Sequence, residues 1–232
     1  MEISVKEGSF PENKPANPIL QNPTRVEKQR ENFIKLLENN TLLDPQDKAS
    51  LLLVYLGVKP ATGFIIPVKY DSEEKRPFDY NKETFQDDIG AIEELLLESG
   101  LPKKSEIVIS GRKLKHLGGQ KFSVGKDRQS LEELLNAKDD ITIGHALGYP
   151  ESALEGYGGD KFDTKVLSPE ELKIYKAYKF FYFSNENWKQ ELEKFKEWVS
   201  MIEKASPKLH QEILQDEQVT PSFPDGYEVR AQ

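Results

Sequence analysis

The chain has 232 residues, enough for one large domain, and its net charge of −8 at pH 7 argues against general nucleic-acid binding. It contains no cysteine, which excludes disulfides, thiolate metal sites and cysteine nucleophiles. No stretch approaches the roughly 18 apolar residues of a membrane span, and the N-terminal residues lack a signal-peptide pattern, so we expect a soluble cytoplasmic protein with no membrane partner.

Hydrophobic periodicity and capping residues predict the elements in chain order. The pattern predicts helices over 25–39 and 45–56, a strand over 63–70, a helix over 84–99, strands over 105–110 and 121–124, helices over 128–137 and 140–147, and three last helices that begin near Ser168, Ser184 and Pro207. This order is typical of the α+β class, with a small, mostly antiparallel sheet, flanking helices and a helical C-terminal part. Four segments follow from it: an extended or disordered arm over 1–23, an α+β domain over 24–165, a helical part packed on it over 166–217, and a loose tail over 218–232.

Two details of the sheet follow from proline and glycine. Pro67 cannot donate to a strand ladder, which indicates an edge position or a bulge. The pair Gly118-Gly119 suits a hairpin turn between the second and third strands. Such a short link joins only antiparallel strands, because a parallel pair needs a longer crossover.

The segment 143–153 contains the most informative junction of the chain. Gly148 is expected to end one helix in the left-handed conformation, and Pro150 to occupy the first position of the next. The free backbone N–H groups of Glu151 and Ser152 would then point at one spot that can hold an anion, and Tyr149 could stack on the ligand or hydrogen-bond to it. The carboxylate of Glu151 would repel an anion unless it points away.

A local excess of positive charge supports the same hypothesis. Residues 103–128 contain eight cationic and two anionic side chains, a local net charge of +6. Arg112, Lys115 and Lys126 of this basic hairpin would neutralise the bound anion. The alternative is a solvated lysine-rich surface without a ligand.

Histidine is scarce, which narrows the choice of a catalytic group. His145 is the candidate acid or base because its natural pKa lies near neutrality, and Asp160 or Glu151 would orient it. The alternative is that His145 has a purely structural role, with its hydrogen bonds made within the fold. His116 and His145 with Asp160 or Asp163 lack any paired ligand spacing, so no metal is expected, and the sequence indicates no particular cofactor.

Nine of the 23 aromatic residues lie between Tyr175 and Trp198. Core packing is favoured over nucleobase stacking, because the surrounding charge alternates in sign and the spacing is helical. One stripe has the helical period: Trp188, Leu192, Phe195, Val199 and Ile202.

The run Gly-His-Ala-Leu-Gly-Tyr-Pro-Glu over 144–151 resembles an uncharacterised prokaryotic family with a Leu-Gly-Tyr-Pro signature (domain of unknown function 483). Residues 122–134 also resemble this family, and the resemblance as a whole covers about residues 105–160. In many such proteins the proline leads into a paired-cysteine segment, where this chain has Ser152 and Ala153. The resemblance therefore implies the location of a site and no thiol or metal chemistry.

Three functional hypotheses follow. The first is a protein that binds a small anionic or phosphorylated ligand, such as a nucleotide, at the Gly-Tyr-Pro helix start. The second is a non-catalytic module whose proline-rich arms and charged helical C-terminal part bind another protein, with the Gly-Tyr-Pro turn purely architectural. The third, RNA binding through the basic hairpin, is disfavoured by the acidic remainder of the chain. Whether any reaction is catalysed stays open.

Overall fold

The computed structural model describes residues 24–67, 83–109 and 118–216. In these ranges the helices are α1 (Arg25–Asn39), α2 (Pro45–Tyr55), α3 (Glu83–Ser99), α4 (Arg128–Asn136), α5 (Asp140–Ala146), α6 (Glu151–Glu155), α7 (Pro169–Tyr178), α8 (Trp188–Ala205) and α9 (Pro207–Gln215). The strands are β1 (Ala61–Pro67), β2 (Lys103–Ile109) and β3 (Gly118–Gly125). The predicted arm over 1–23 and the predicted tail over 218–232 lie outside the described residues.

The sheet has the order β1-β3-β2, and both pairs are antiparallel. The α+β class with a small antiparallel sheet and flanking helices is therefore confirmed. Pro67 lies in an edge strand, as its missing N–H predicted. Phe64 and Phe122 stand opposite each other in the register, and their stacked rings, 5.5 Å apart, are buried on the core side.

The prediction of a hairpin turn at Gly118-Gly119 is wrong. Both glycines belong to β3, where they pair with Ile109 and Val108 of β2. A Cβ at Gly119 would lie 2.5 Å from the carbonyl oxygen of Ile66, so glycine is needed here for the close approach of two strands. The link between β2 and β3 falls outside the described residues.

One hydrophobic core joins the helices to the sheet. Helices α2 and α4 contact β1 and β3, while α7 and α8 pack with α9 and α2. The helical stripe on α8 is confirmed as core, with four of its members buried and Trp188 packed against them. The same cluster contains residues from 33 to 213, so the C-terminal helices and the sheet share their apolar interior.

Several helix starts agree with their capping signals. Asp44 accepts hydrogen bonds from the first turn of α2, and Ser168 forms a capping box with Glu171 at α7. Ser184 was expected to cap α8, but that prediction is wrong, because α8 begins after Asn187. The Ser184 hydroxyl instead accepts from the Asn187 N–H and donates to the buried carboxylate of Glu191. None of the described helices combines the length and apolar character needed to cross a membrane.

Candidate functional site

The junction between α5 and α6 has the predicted helix end. Gly148 takes a φ of +78°, its N–H donates to the His145 carbonyl, and the Tyr149 N–H donates to the Gly144 carbonyl. These two bonds form a Schellman motif, which only a residue without Cβ adopts readily. A Cβ at Gly148 would also lie 2.5 Å from Cδ of Pro60. The turn is therefore held tightly against the segment that precedes β1.

Pro150 does not occupy the first helical position, so that detail of the prediction is wrong. Its ψ of 139° is extended, and its carbonyl accepts from the N–H groups of Ala153 and Leu154. Pro150 is therefore the N-cap, and α6 begins at Glu151 and spans five residues. Such a short helix adds few aligned peptide dipoles at its start, which weakens the expected attraction for an anion.

Tyr149 is partly buried and packs against the hydrophobic core. Its ring centre lies 5.6 Å from that of Phe181 and 5.5 Å from Nζ of Lys59. Burial raises the pKa of the Tyr149 phenol to about 12. Much of the Tyr149 ring therefore already contacts other side chains, and only its exposed part is left for the predicted ligand contacts.

The hydroxyl of Ser152 is engaged in an internal network. It donates to Oε1 of Glu191 at 2.7 Å, and the same carboxylate accepts from the N–H and the hydroxyl of Ser184. Glu191 is buried, so three hydrogen bonds compensate its removal from water. This network joins α6 to α8 and leaves Ser152 its backbone N–H for a ligand.

Among the predicted site residues that the structure describes, His145 and Glu151 form a contact with a geometry suited to acid or base chemistry. Nδ1 of His145 lies 3.3 Å from Oε2 of Glu151, and both side chains are exposed. Asp160, the other expected partner, instead accepts from Asn185 through its carbonyl. A carboxylate on Nδ1 orients the imidazole and leaves Nε2 for a ligand, as an acid or base requires.

The His145 side chain faces an open groove of about 550 Å³ between α4 and α5. Its lining is polar and acidic: Gln129, Glu132, Glu133, Asn136, Ala137, Thr142, His145 and Ala146. The hydroxyl of Thr142 is bonded to Asp139, so it is not poised as a nucleophile for His145. The groove combines a histidine with carboxylates and amides, a lining that suits cationic or neutral polar ligands better than phosphates.

Of the three cationic side chains predicted to neutralise a bound anion, the structure describes only Lys126. Arg112 and Lys115 lie outside the described residues. Lys126 is exposed, and its N–H donates to the carbonyl of Pro60, the residue that packs on Gly148. The backbone of Lys126 therefore runs close to the Gly-Tyr-Pro turn.

The surface of α5 and α6 is itself negative. Residues 139–160 contain no lysine or arginine and five carboxylates: Asp139, Asp140, Glu151, Glu155 and Asp160. Like charges of this number repel a phosphate and attract a cationic partner. The surface at the predicted site therefore has the opposite sign to the one that an anion-binding site requires.

Exposed tyrosines accompany these carboxylates. Tyr182 is 78% exposed and Tyr157 54% exposed, although Tyr182 was predicted to pack in the core. The Tyr157 hydroxyl donates to Asp140 at 3.0 Å, and this bond is the main reason that its pKa is raised, with smaller contributions from burial, from the Asp140 charge and from Tyr182. We call Ile141, Tyr157 and Tyr182 the tyrosine patch.

The sequence contains a pattern that indicates the exposure of Tyr182. It stands between the buried Phe181 and Phe183, which is the alternation of an extended segment, and α7 ends before it at a left-handed Lys179. A helical pattern was assumed for this stretch. The extended backbone turns the middle aromatic outward.

Comparison with protein-family models, curated proteins and solved structures finds no match to the chain. The resemblance to the Leu-Gly-Tyr-Pro family therefore stays a prediction. Within the described residues, no group of three or more histidine, aspartate or glutamate side chains is arranged to hold a metal ion.

Proposed function

We propose that this protein is a non-catalytic interaction module whose α5–α6 surface binds a basic segment of another protein. The observation that carries the proposal is the tyrosine patch, which exposes two aromatic side chains beside a run of carboxylates. Tyrosine is enriched at protein interfaces because it buries a large apolar ring and keeps a polar tip.

The rigidity of the surface supports the same function. Tyr157 is tied to Asp140, and α6 is tied to α8 through the bonds of Ser152 and Ser184 to Glu191. A partner that docks on such a surface orders few side chains, so little affinity is lost to conformational entropy. The surrounding carboxylates would accelerate the approach of a cationic partner and fix its orientation.

The Gly-Tyr-Pro turn is architectural in this proposal. Gly148 packs on Pro60, Tyr149 packs against the hydrophobic core, and Pro150 caps a five-residue helix. Binding of a small anionic ligand at this turn stays a prediction of the sequence. Native mass spectrometry of the purified chain tests it, because a retained ligand would add a discrete mass.

The test of the interaction uses a photo-crosslinking amino acid at Tyr182 in the full chain, expressed in cells of its source. Val26, an apolar residue of α1 that is 75% exposed, is the matched control position. We expect one discrete protein crosslinked at Tyr182 and not at Val26, joined through a peptide rich in lysine or arginine.

The identified partner then allows a binding measurement. Tyr182→Ala and Tyr157→Ala should each weaken binding at least tenfold, and higher salt should weaken it further because exposed charges are screened. Equal crosslinking at both positions, or binding that is insensitive to both tyrosines, would overturn the proposal.

A further inference from the structure

Strand β2 forms one edge of the sheet, and within the described ranges no strand lies on its outer side. The Gly125 N–H donates to the Pro102 carbonyl, which sets the phase of the hydrogen bonds between β3 and β2. Hydrogen bonding alternates along an antiparallel pair, so every second residue of β2 directs its N–H and C=O groups away from β3. The residues with outward-directed backbone groups are Lys103, Ser105 and Ile107.

This outer edge is accessible to a further strand. Ser105 is exposed, Ile107 is 53% exposed, and no backbone group of the described chain bonds to their outward-directed groups. The opposite edge of the sheet differs, because Pro67 of β1 has no N–H to offer to a further strand. An edge strand with free N–H and C=O groups is a template for pairing with another chain, so β2 is the edge that can be extended.

The charges of β2 fit a second copy of the same strand. Lys104 and Glu106 are both exposed and lie two residues apart, so they share one face of the sheet. When two copies pair antiparallel about a two-fold axis at Ser105, each Lys104 stands opposite the Glu106 of the other copy. These positions are non-hydrogen-bonded pairs, in which the side chains of two strands come closest, so the dimer gains two attractive charge pairs.

The same charges disfavour the other registers. An axis at Lys103, Lys104 or Glu106 places two identical charges directly opposite each other, which is unfavourable. An axis at Ile107 forms no charge pair at all. Charged residues on an edge strand usually prevent pairing with other chains, and here they leave one register that is attractive, the one about Ser105.

Two exposed apolar side chains add to the fit of this register. Nζ of Lys103 donates to the Glu93 carbonyl of α3, and a helical carbonyl at this position also accepts from the N–H of Leu97, so Leu97 lies beside Lys103. Leu97 is 75% exposed. In the register about Ser105, Ile107 of the second copy stands opposite Lys103, where it can pack on the aliphatic stem of that lysine and on Leu97.

We propose that two copies of this chain form a dimer through antiparallel pairing of β2 with β2, with the two-fold axis at Ser105. The pairing joins the two described three-stranded sheets into one continuous sheet. Ser105 exchanges both backbone hydrogen bonds with its own counterpart, and Lys103 exchanges both with Ile107 of the other copy. The interface uses no residue of the tyrosine patch, so the dimer and the proposed interaction surface are independent of each other.

The test is sedimentation equilibrium of the full chain over a series of protein concentrations. Lys104→Glu and Glu106→Lys each oppose two pairs of like charges in the dimer, so each variant alone should raise the dissociation constant about tenfold or more. Both positions are exposed, so the fold should tolerate both changes. An equimolar mixture of the two variants should restore the affinity, because every charge then faces an opposite charge across the axis.

A proline variant tests the backbone pairing. Ser105→Pro removes an N–H that β3 does not use, so the variant should keep its circular dichroism spectrum and lose the dimer. Ile65→Pro is the matched control. The bond from the Lys126 N–H to the Pro60 carbonyl sets the phase of β1, and the Ile65 N–H likewise faces away from β3, but at the opposite edge. This control variant should still form the dimer.

Three results would each overturn the proposal. The first is a natural chain that stays monomeric at every concentration, and the second is a dimer that survives Ser105→Pro. The third is a pair of charge variants whose affinity is not restored by mixing, since only the register about Ser105 brings the two changed positions opposite each other.

Discussion

The buried ammonium of Lys59 predicts an unusual dependence of stability on pH. Burial lowers the pKa of Lys59 from 10.5 to about 8, and the attraction of Asp47 only partly offsets it. Below pH 8 both the folded and the unfolded chain hold the proton, so the folded chain bears the full penalty of a buried cation. Between pH 8 and 10.5 only the unfolded chain holds it, so stability rises with pH in this window.

The size of this effect follows from the pKa difference. The difference corresponds to about 3 kcal/mol over the whole window, of which about 2 kcal/mol appears between pH 7.5 and pH 9.5. Tyrosines whose pKa is raised, such as Tyr149, oppose the trend only above pH 10. The range from pH 7.5 to 9.5 is therefore the one in which Lys59 is best isolated.

The measurement is urea unfolding of the natural chain and of Lys59→Met at several pH values and at constant ionic strength. Subtracting the two free energies of unfolding removes every titration that the two proteins share. We expect the natural chain to gain about 2 kcal/mol relative to Lys59→Met between pH 7.5 and 9.5. Lys59→Met should be at least as stable at pH 7.5, since it removes the charge. A difference that stays flat, or that falls with pH, would refute the reasoning.

Three further predictions concern packing and use thermal or urea unfolding. Gly148→Val should cost about 1–3 kcal/mol more than Gly158→Val, because both glycines have positive φ but only Gly148 faces Pro60 at 2.5 Å; equal losses would mean that the contact is unimportant. Phe195→Ala should cost about 3–5 kcal/mol, because the side chain is fully buried, whereas the exposed Tyr182→Ala should change stability by less than about 0.5 kcal/mol; similar values would contradict the assignment of core and surface. Tyr178→Phe should lower the free energy of unfolding by about 1–3 kcal/mol, because Nδ1 of the buried His210 loses its hydrogen bond to the Tyr178 hydroxyl, which lies 2.6 Å away. Unchanged stability of this variant would show that the hydrogen bond contributes nothing.

Local chemistry was sufficient to predict most element starts and ends. The Asp44 carboxylate and the Ser168 hydroxyl each accept hydrogen bonds from the first-turn N–H groups of their own helix, so these helix starts can be read from the sequence. The positive φ of Gly148 likewise follows from the local end of a helix. The edge position of Pro67 needed only its missing donor.

The candidate site was less accessible to prediction from sequence. Glu151 was one of the two carboxylates expected to orient His145, and the two residues are near each other in the chain. The packing of Tyr149 against the core was not expected, because a tyrosine beside a glycine turn has the same local pattern whether it faces solvent or core. Gly118 and Gly119 were ambiguous for the same reason, since glycine serves both a turn and a close strand approach.

The sequence by itself determined where most of the described helices begin and that Gly148 terminates α5, because these properties depend on interactions within a few residues. Only the tertiary structure decided the surroundings of Lys59, which come from α2, the Gly-Tyr-Pro turn, the segment after α7, and α8. In the sequence Lys59 is an ordinary lysine in a turn, with no periodic signal of burial. Burial is set by what distant segments place around a side chain, so the charge that is most out of place in this protein appears only once the chain has folded.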